Sequence, residues 1–190
     1  MRQMMKTCNI YKILSQELKN GSSDLVTRQS GQTVRERIER ILQEEGDRSV
    51  IALDFSDIGV IDYSCADEII AKLISRLLGG EYGDKYILLK GINGNQRENI
   101  EVALERKGLA VMADMQDGSK HLLGDLNNYL RETLSLIMEQ HKITARDLAL
   151  SMNLEANTSG TRLLNLHKKR LVKRSEEVRN SGRVWVYECL

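Results

Sequence analysis

Two stretches of the chain carry side chains whose types and spacing bear on chemistry. The first, "VIDYSCADE" (Val60 to Glu68), sets one hydroxyl, Ser64, among three acids, Asp62, Asp67 and Glu68. Ser64-Cys65-Ala66-Asp67 has the outline of a capping box, in which a serine at a helix start accepts an orphan backbone N–H. The same position suits a phosphate, because the helix dipole favours negative charge there, while the three carboxylates oppose it. Cap and switch are both open for Ser64 at this point. The second stretch is "TSGTRLLNLHKKR", Thr158 to Arg170. Leu163, Leu164 and Leu166 turn toward a core, and Thr158, Thr161, Arg162 and Asn165 lie opposite them. Such a face offers hydrogen bonds and positive charge, the chemistry of recognition and not of bond-making.

Catalysis has little else to draw on. His121, His141 and His167 have no evident metal partners or triad spacing, and no nucleophile elbow, zinc motif or nucleotide fingerprint occurs. "KGINGNQREN" lacks the phosphate-loop pattern and reads as a strand-to-helix turn with two glycines. The expectation is a protein that is not an enzyme and has no metal site and no cofactor.

The 190 residues suffice for two small domains or one ordinary one. A hydrophobic content of 41% and a charged content of 29% are those of a globular chain. No run is long enough for a signal peptide or a bilayer span, so no membrane association is expected. Cys8, Cys65 and Cys189 are far apart and odd in number, which fits a reduced, cytoplasmic setting. Proline is absent, so turns must rely on Gly, Asn, Asp and Ser. The net charge of +1 hides an asymmetry: residues 129–190 hold 11 basic and 7 acidic residues, and residues 162–183 hold 8 and 2. A basic C-terminal part beside an acidic N-terminal part suggests two jobs.

The N-terminal part reads as strands alternating with helices. "TVRERIERILQEEG" is a helix capped by Thr33. "SVIALDF" is a strand buried on both faces, and "SCADEIIAKLISRLLGG" is a core helix with apolar residues at spacings of three and four. "KYILLKG" is a further strand. "GNQRENIEVALERKG" is a helix with Asn95 and Glu98 at capping-box spacing, and "LAVMADM" and "KHLLG" form a hairpin about Asp117-Gly118. Earlier strands around "CNIYKIL" and "DLVTR" would extend the edge of a mainly parallel sheet. The stretch "IALDFSDIGVIDYSCADEIIAKLI" resembles the central strand-turn-helix of STAS domains, the anti-sigma-factor antagonists. Asp54, Phe55, Ser56, Ile61, Asp62 and Ser64 stand at the matching positions. Ser64-Cys65-Ala66-Asp67-Glu68 resembles the subgroup with an S-F-A-D-E motif. The resemblance implies an α/β domain with a mainly parallel mixed sheet over residues 1–123. It also implies a phosphorylated serine at Ser64 and a serine kinase or another protein as partner. Tyr63 and Cys65 depart from the family's serine and glycine.

The C-terminal part, from the polar joint "GDLNN" onward, reads as three helices and a hairpin around "RNSG". Thr144 and Asp147 form a capping box on the second helix. "ITARDLALSMNLEANTSGTRLLNLHKKRLVKR" resembles the helix 2, turn and recognition helix of winged helix-turn-helix regulators. Ala145, Leu148, Ala149, Thr161, Leu164, Leu166, Leu171 and Val172 fit that pattern. Lys169-Arg170 stand where the family often has a helix-ending glycine. The resemblance implies an α+β winged helix over residues 124–190 that binds double-stranded DNA. Thr158, Thr161, Arg162 and Asn165 would meet base edges, and Lys168, Lys169, Arg179 and Arg183 would hold phosphates. The expected function is a transcriptional regulator, a homodimer, whose STAS-like domain docks a partner or signal. The alternative is a protein-only signalling module that uses its winged helix to dimerise.

Overall fold

The computed structural model describes residues 5–18, 21–179 and 182–190, with the Arg179 side chain outside that set. It divides into two compact units, Met1–Asp125 and Leu126–Leu190.

The first unit is an α/β domain built on a mainly parallel mixed sheet. Its elements run β1 (Lys6–Asn9), α1 (Ile10–Leu18), α2 (Arg28–Glu44), β2 (Val50–Asp54) and α3 (Tyr63–Ala66). A π-type turn (Asp67–Ala71) carries α3 into α4 (Lys72–Leu78). Then come β3 (Tyr86–Ile92), α5 (Gly94–Glu105), β4 (Ala110–Met115) and β5 (Lys120–Gly124). The strands stand in the order β1-β2-β3-β4-β5. β1 to β4 are parallel, and β5 returns antiparallel through the Asp117-Gly118 turn. Parallel strands need crossovers, and the helices supply them. Ile51 and Leu53 of β2, Ile87 and Leu89 of β3 and Val111 and Ala113 of β4 share one core with the helices. The alternate residues Val50, Ala52, Tyr86, Leu88, Ala110 and Met112 are buried too, as continuous apolar strands require.

Four local expectations are corrected. Helix α2 starts at Arg28, with Thr27 and not Thr33 as its cap; the Thr27 hydroxyl accepts from the Ser30 N–H at 3.2 Å. Ser30 and Gly31 are weak helix formers, but Gly31 lets α2 approach α3, where a Cβ would lie 3.3 Å from the Cys65 Cα. "CNIYKIL" is a strand only to Asn9. The Asn9 side chain accepts from the Lys12 N–H at 2.8 Å and turns the chain into α1. "DLVTR" forms a single bridge, Leu25 to Ile61, and no strand. The capping box of α5 is Asn93 with Gln96, two residues before the expected Asn95 and Glu98.

The second unit holds α6 (Asn128–Gln140), β6 (Lys142–Thr144), α7 (Ala145–Met152), α8 (Ala156–Lys168), β7 (Val172–Arg179) and β8 (Gly182–Cys189). Its antiparallel sheet has the order β6-β8-β7. Leu130, Leu134 and Ile137 of α6, Leu148 of α7, and Leu163 and Leu166 of α8 are buried with Leu171, Val172 and Val186. The Thr144–Asp147 capping box opens α7, and left-handed Asn153 closes it. No helix among the described residues is long and apolar enough to cross a membrane.

Candidate functional site

Helix α8 presents its polar ridge because three small or branched residues fix the opposite side. Ser159, Leu163 and Leu166 are fully buried, which leaves Thr158, Thr161 and Lys168 exposed and Arg162, Asn165 and Lys169 half-buried. Leu164, expected inward, is only half-buried; the inward place belongs to Ser159, whose hydroxyl donates to the Glu155 carbonyl at 3.2 Å. A short polar residue in a leucine seam carries little sequence signal.

Tyr129, Asn157, Thr158, Thr161, Arg162 and Asn165 line a groove of about 420 Å³. Arg162 leans on α6: its Nη1 donates to the Tyr129 carbonyl at 3.4 Å, and its guanidinium lies 5.2 Å from the Tyr129 ring centre. That side chain is therefore turned toward α6. The Thr161 hydroxyl donates to the Asn157 carbonyl at 2.8 Å, so it faces outward as an acceptor. Lys169 caps α8, and Arg170 follows in a left-handed conformation, φ 60°, where a glycine would be easier. Arg183 is exposed and 3.8 Å from Glu176 across the hairpin. The same hairpin holds Glu177, paired with Lys142 at 3.2 Å. The hairpin is thus mixed in charge. The Arg179 side chain and residues Asn180 and Ser181 lie outside the described residues.

Ser64 is not the helix cap. The cap of α3 is Asp62, whose Oδ1 accepts from the Cys65 N–H at 2.8 Å. Ser64 lies two residues past the cap, half-buried, and its hydroxyl donates to both Asp62 oxygens at 2.9 and 3.1 Å. Sequence spacing favoured Ser64 because Asp67 sits three residues on, but Asp67 is engaged elsewhere. It meets Lys107 at 2.6 Å and Arg28 at 3.6 Å. Glu68 meets Arg35, Lys72 and Arg28. Burial raises the Glu68 carboxyl, but Lys72 and Arg35 outweigh it and hold it below its ordinary value. Of the three acids near Ser64, only Asp62 therefore confronts a new negative charge directly. Burial pushes the Cys65 thiol up to about 11, and its Sγ donates to the Thr27 carbonyl at 2.9 Å. That thiol is a packing group and not a nucleophile.

The Asp62 cap makes a prediction that separates it from a Ser64 cap. Asp62→Ala should cost about 1–2 kcal/mol, the price of a lost N-cap. Ser64→Ala should cost less, about 0.5–1 kcal/mol, because one hydrogen bond is lost and the cap stays. Ser64→Asp should be worse than Ser64→Ala, since it sets a second carboxylate against Asp62. Urea unfolding of the three variants at neutral pH gives the order; a silent Ser64→Asp would restore the serine as cap.

His121 lines a cavity of about 490 Å³ with Asn93, Arg97, Gln116 and Ser119 at the carboxyl ends of β3 and β4. Its Nε2 is 3.0 Å from the Ser119 hydroxyl, Arg97 is paired with Glu101, and Asn93 already caps the α5 amides. His167 is 3.4 Å from the Val172 carbonyl.

Sequence reasoning passed over one constellation. The Arg174 guanidinium stacks 3.7 Å over the Trp185 ring and 5.8 Å from Tyr187. Arg174 faces Tyr187 across the β7–β8 ladder, with Trp185 diagonal to it. The register, which no local motif prints, brings them together. No protein-family model matches this chain, and no curated protein matches it significantly.

Proposed function

We propose that this chain is a transcriptional regulator: a winged helix-turn-helix unit binds double-stranded DNA, and a STAS-like unit docks a protein partner or signal. The observation that carries the reading is the ridge of α8. Asn157, Thr161 and Lys168 stand opposite the buried seam, with Thr158 and Asn165 beside them and Arg162 on the flank toward α6, on the second helix of a tightly turned pair. Arg and Asn side chains there suit guanine and adenine edges in a major groove, and Lys168 and Arg183 suit phosphates. One such unit covers a short half-site, so the proposal includes a homodimer. In the first unit, Val26 and Val60 are about half exposed on the two segments joined by the Leu25–Ile61 bridge. Apolar groups in solvent beside the Asp62–Ser64 helix start favour a docking surface.

The test is binding of the purified protein to duplex DNA across a salt series, read by fluorescence anisotropy. Arg162→Ala and Asn165→Ala should each weaken a preferred sequence by about 1–3 kcal/mol. Lys168→Ala and Arg183→Ala should weaken all sequences alike and flatten the salt slope. No affinity at low salt would sink the reading. The second reading, a protein-only signalling module, is favoured by one feature: Glu176 and Glu177 dilute the positive charge of the hairpin.

A further inference from the structure

A second groove flanks α8 on the side away from Tyr129. It has a volume of about 360 Å³ and is walled by Ala145 of α7, Leu164 of α8 and Val184, Trp185 and Tyr187 of β8. Two cations, Arg146 and Arg174, also line it, and among the described residues that line it none is acidic. Trp185 is 47% exposed, although it is the largest apolar side chain in the unit. The Arg174 guanidinium lies over the Trp185 ring, and its Nε–H is buried with no acceptor among the described residues. The buried Nε–H is out of reach of a ligand, but a half-bare tryptophan beside two guanidiniums calls for a reason.

We propose that this groove binds an acidic segment of a partner protein, with a carboxylate on the Arg174 and Arg146 guanidiniums and a neighbouring apolar side chain on Trp185. Charge decides the sign of the occupant: two guanidiniums with no carboxylate among the lining residues select an anion. The planar fork of arginine matches a carboxylate's two oxygens. Surface chemistry decides its apolar partner, because Leu164, Val184 and the exposed Trp185 face have to be covered by carbon. Exposure decides its size. A wall with a half-exposed tryptophan encloses no small molecule, whereas Trp, Tyr and Arg together are the usual anchors of a protein interface. The stack on Trp185 also fixes the Arg174 rotamer before binding, which lowers the ordering cost.

Trp185 is the single tryptophan of the chain, so its emission reports on this groove alone. A phage-displayed library of random dodecapeptides, selected on the intact protein, supplies the probes. The enriched peptides are then synthesised without tryptophan and titrated while Trp185 emission is followed. Enriched peptides should carry Asp or Glu beside an aromatic or aliphatic residue and should shift the emission. Their affinity should fall about tenfold or more in Arg174→Gln and in Arg146→Gln, and also when Asp and Glu are replaced by their amides. Arg146→Gln covers the case in which Arg174→Gln fails to fold. Neutral or basic enriched peptides, an unmoved Trp185 emission, or indifference to both substitutions would overturn the proposal. A duplex DNA that shifts the emission through Arg146 and Arg174, where no peptide does, would also overturn it and assign the groove to nucleic acid. Peptide binding by a protein with no DNA affinity would uphold the groove and remove the DNA reading.

Discussion

Replacing Glu68 with glutamine should lower the stability of the first unit by about 3 kcal/mol, a drop of roughly 10 °C in its melting temperature. The Glu68 side chain is 2% exposed and stands in the π-type turn between α3 and α4. The Arg35 Nε and Nη2 donate to its Oε1 at 3.3 and 3.2 Å, and Lys72 reaches both oxygens at 2.9 and 2.8 Å. Lys72 and Arg28 are about half exposed and can return to water. Arg35 cannot, being 6% exposed, so the loss falls on its guanidinium. Glu39, bound to Arg35 Nη1 at 2.6 Å, remains and keeps the cost from being larger. Replacing both partners with apolar residues, Glu68→Leu with Arg35→Met, should recover most of the loss, as a buried ion pair is worth less than it costs to break. The pH dependence has a fixed sign. Burial raises both the Glu39 and the Glu68 carboxyls, but Tyr82, Arg35 and Arg76 lower the first and Lys72 and Arg35 the second, below the ordinary 4.5. Their contribution is complete above about pH 4.5 and is lost as pH falls through the folded values. The gap between wild type and Glu68→Gln in urea unfolding should be flat from neutral pH and should close on acidification. A gap that widens in acid would contradict the network.

This network also marks how far the sequence can be read. The helix of residues 63–78 is plain from its apolar spacing, since Ala66, Ile69, Ile70, Leu73, Ile74 and Leu77 must share a face, and all are buried. The two acids beside that face, Asp67 and Glu68, look like a solvated start of a helix. They are buried because four cations converge on them: Lys72, one helical turn along, and Arg28, Arg35 and Lys107, each more than 30 residues away in the chain. Periodicity is a local signal and cannot report such convergence. The cap of α3 was missed for a related reason. Asp62 and Ser64 both satisfy cap chemistry, and the choice depends on the bridge from Leu25, whose carbonyl accepts from the Asp62 N–H at 2.9 Å and fixes where the helix can begin.

The candidate site divides in the same way. The ridge of α8 follows from spacing, because the buried leucines dictate what faces away. Arg162 flanks that ridge, and its anchoring to Tyr129, 33 residues earlier, depends on how α6 packs. The Arg174–Trp185 stack depends on the register of β7 against β8. A shift of one residue there would send Trp185 to the other face. Type and spacing therefore name the helix, whereas pairing between distant segments decides which side chains on it are free.

Gly124→Ala, at the end of β5, should cost about 3 kcal/mol. Gly124 ends β5 with φ +92°, a region that side chains avoid. A Cβ there would lie 2.2 Å from the Leu109 carbonyl oxygen and 2.8 Å from the Leu104 Cβ. That carbonyl is already fixed, since it accepts from the Asp125 N–H at 2.8 Å, and Gly124 itself pairs with Ala110 of β4. The alanine methyl must displace backbone and not a flexible side-chain end. The expected loss combines the dihedral strain with one disrupted backbone hydrogen bond. Gly118→Ala provides the control. Its φ of +85° is nearly the same, but a Cβ there would meet nothing within 4 Å. It should pay the dihedral strain alone, about 1–2 kcal/mol. Thermal or urea unfolding of the two variants separates crowding from strain. Equal losses would mean that the left-handed backbone is the whole cost, and that the sheet edge at Leu109 yields to a methyl group.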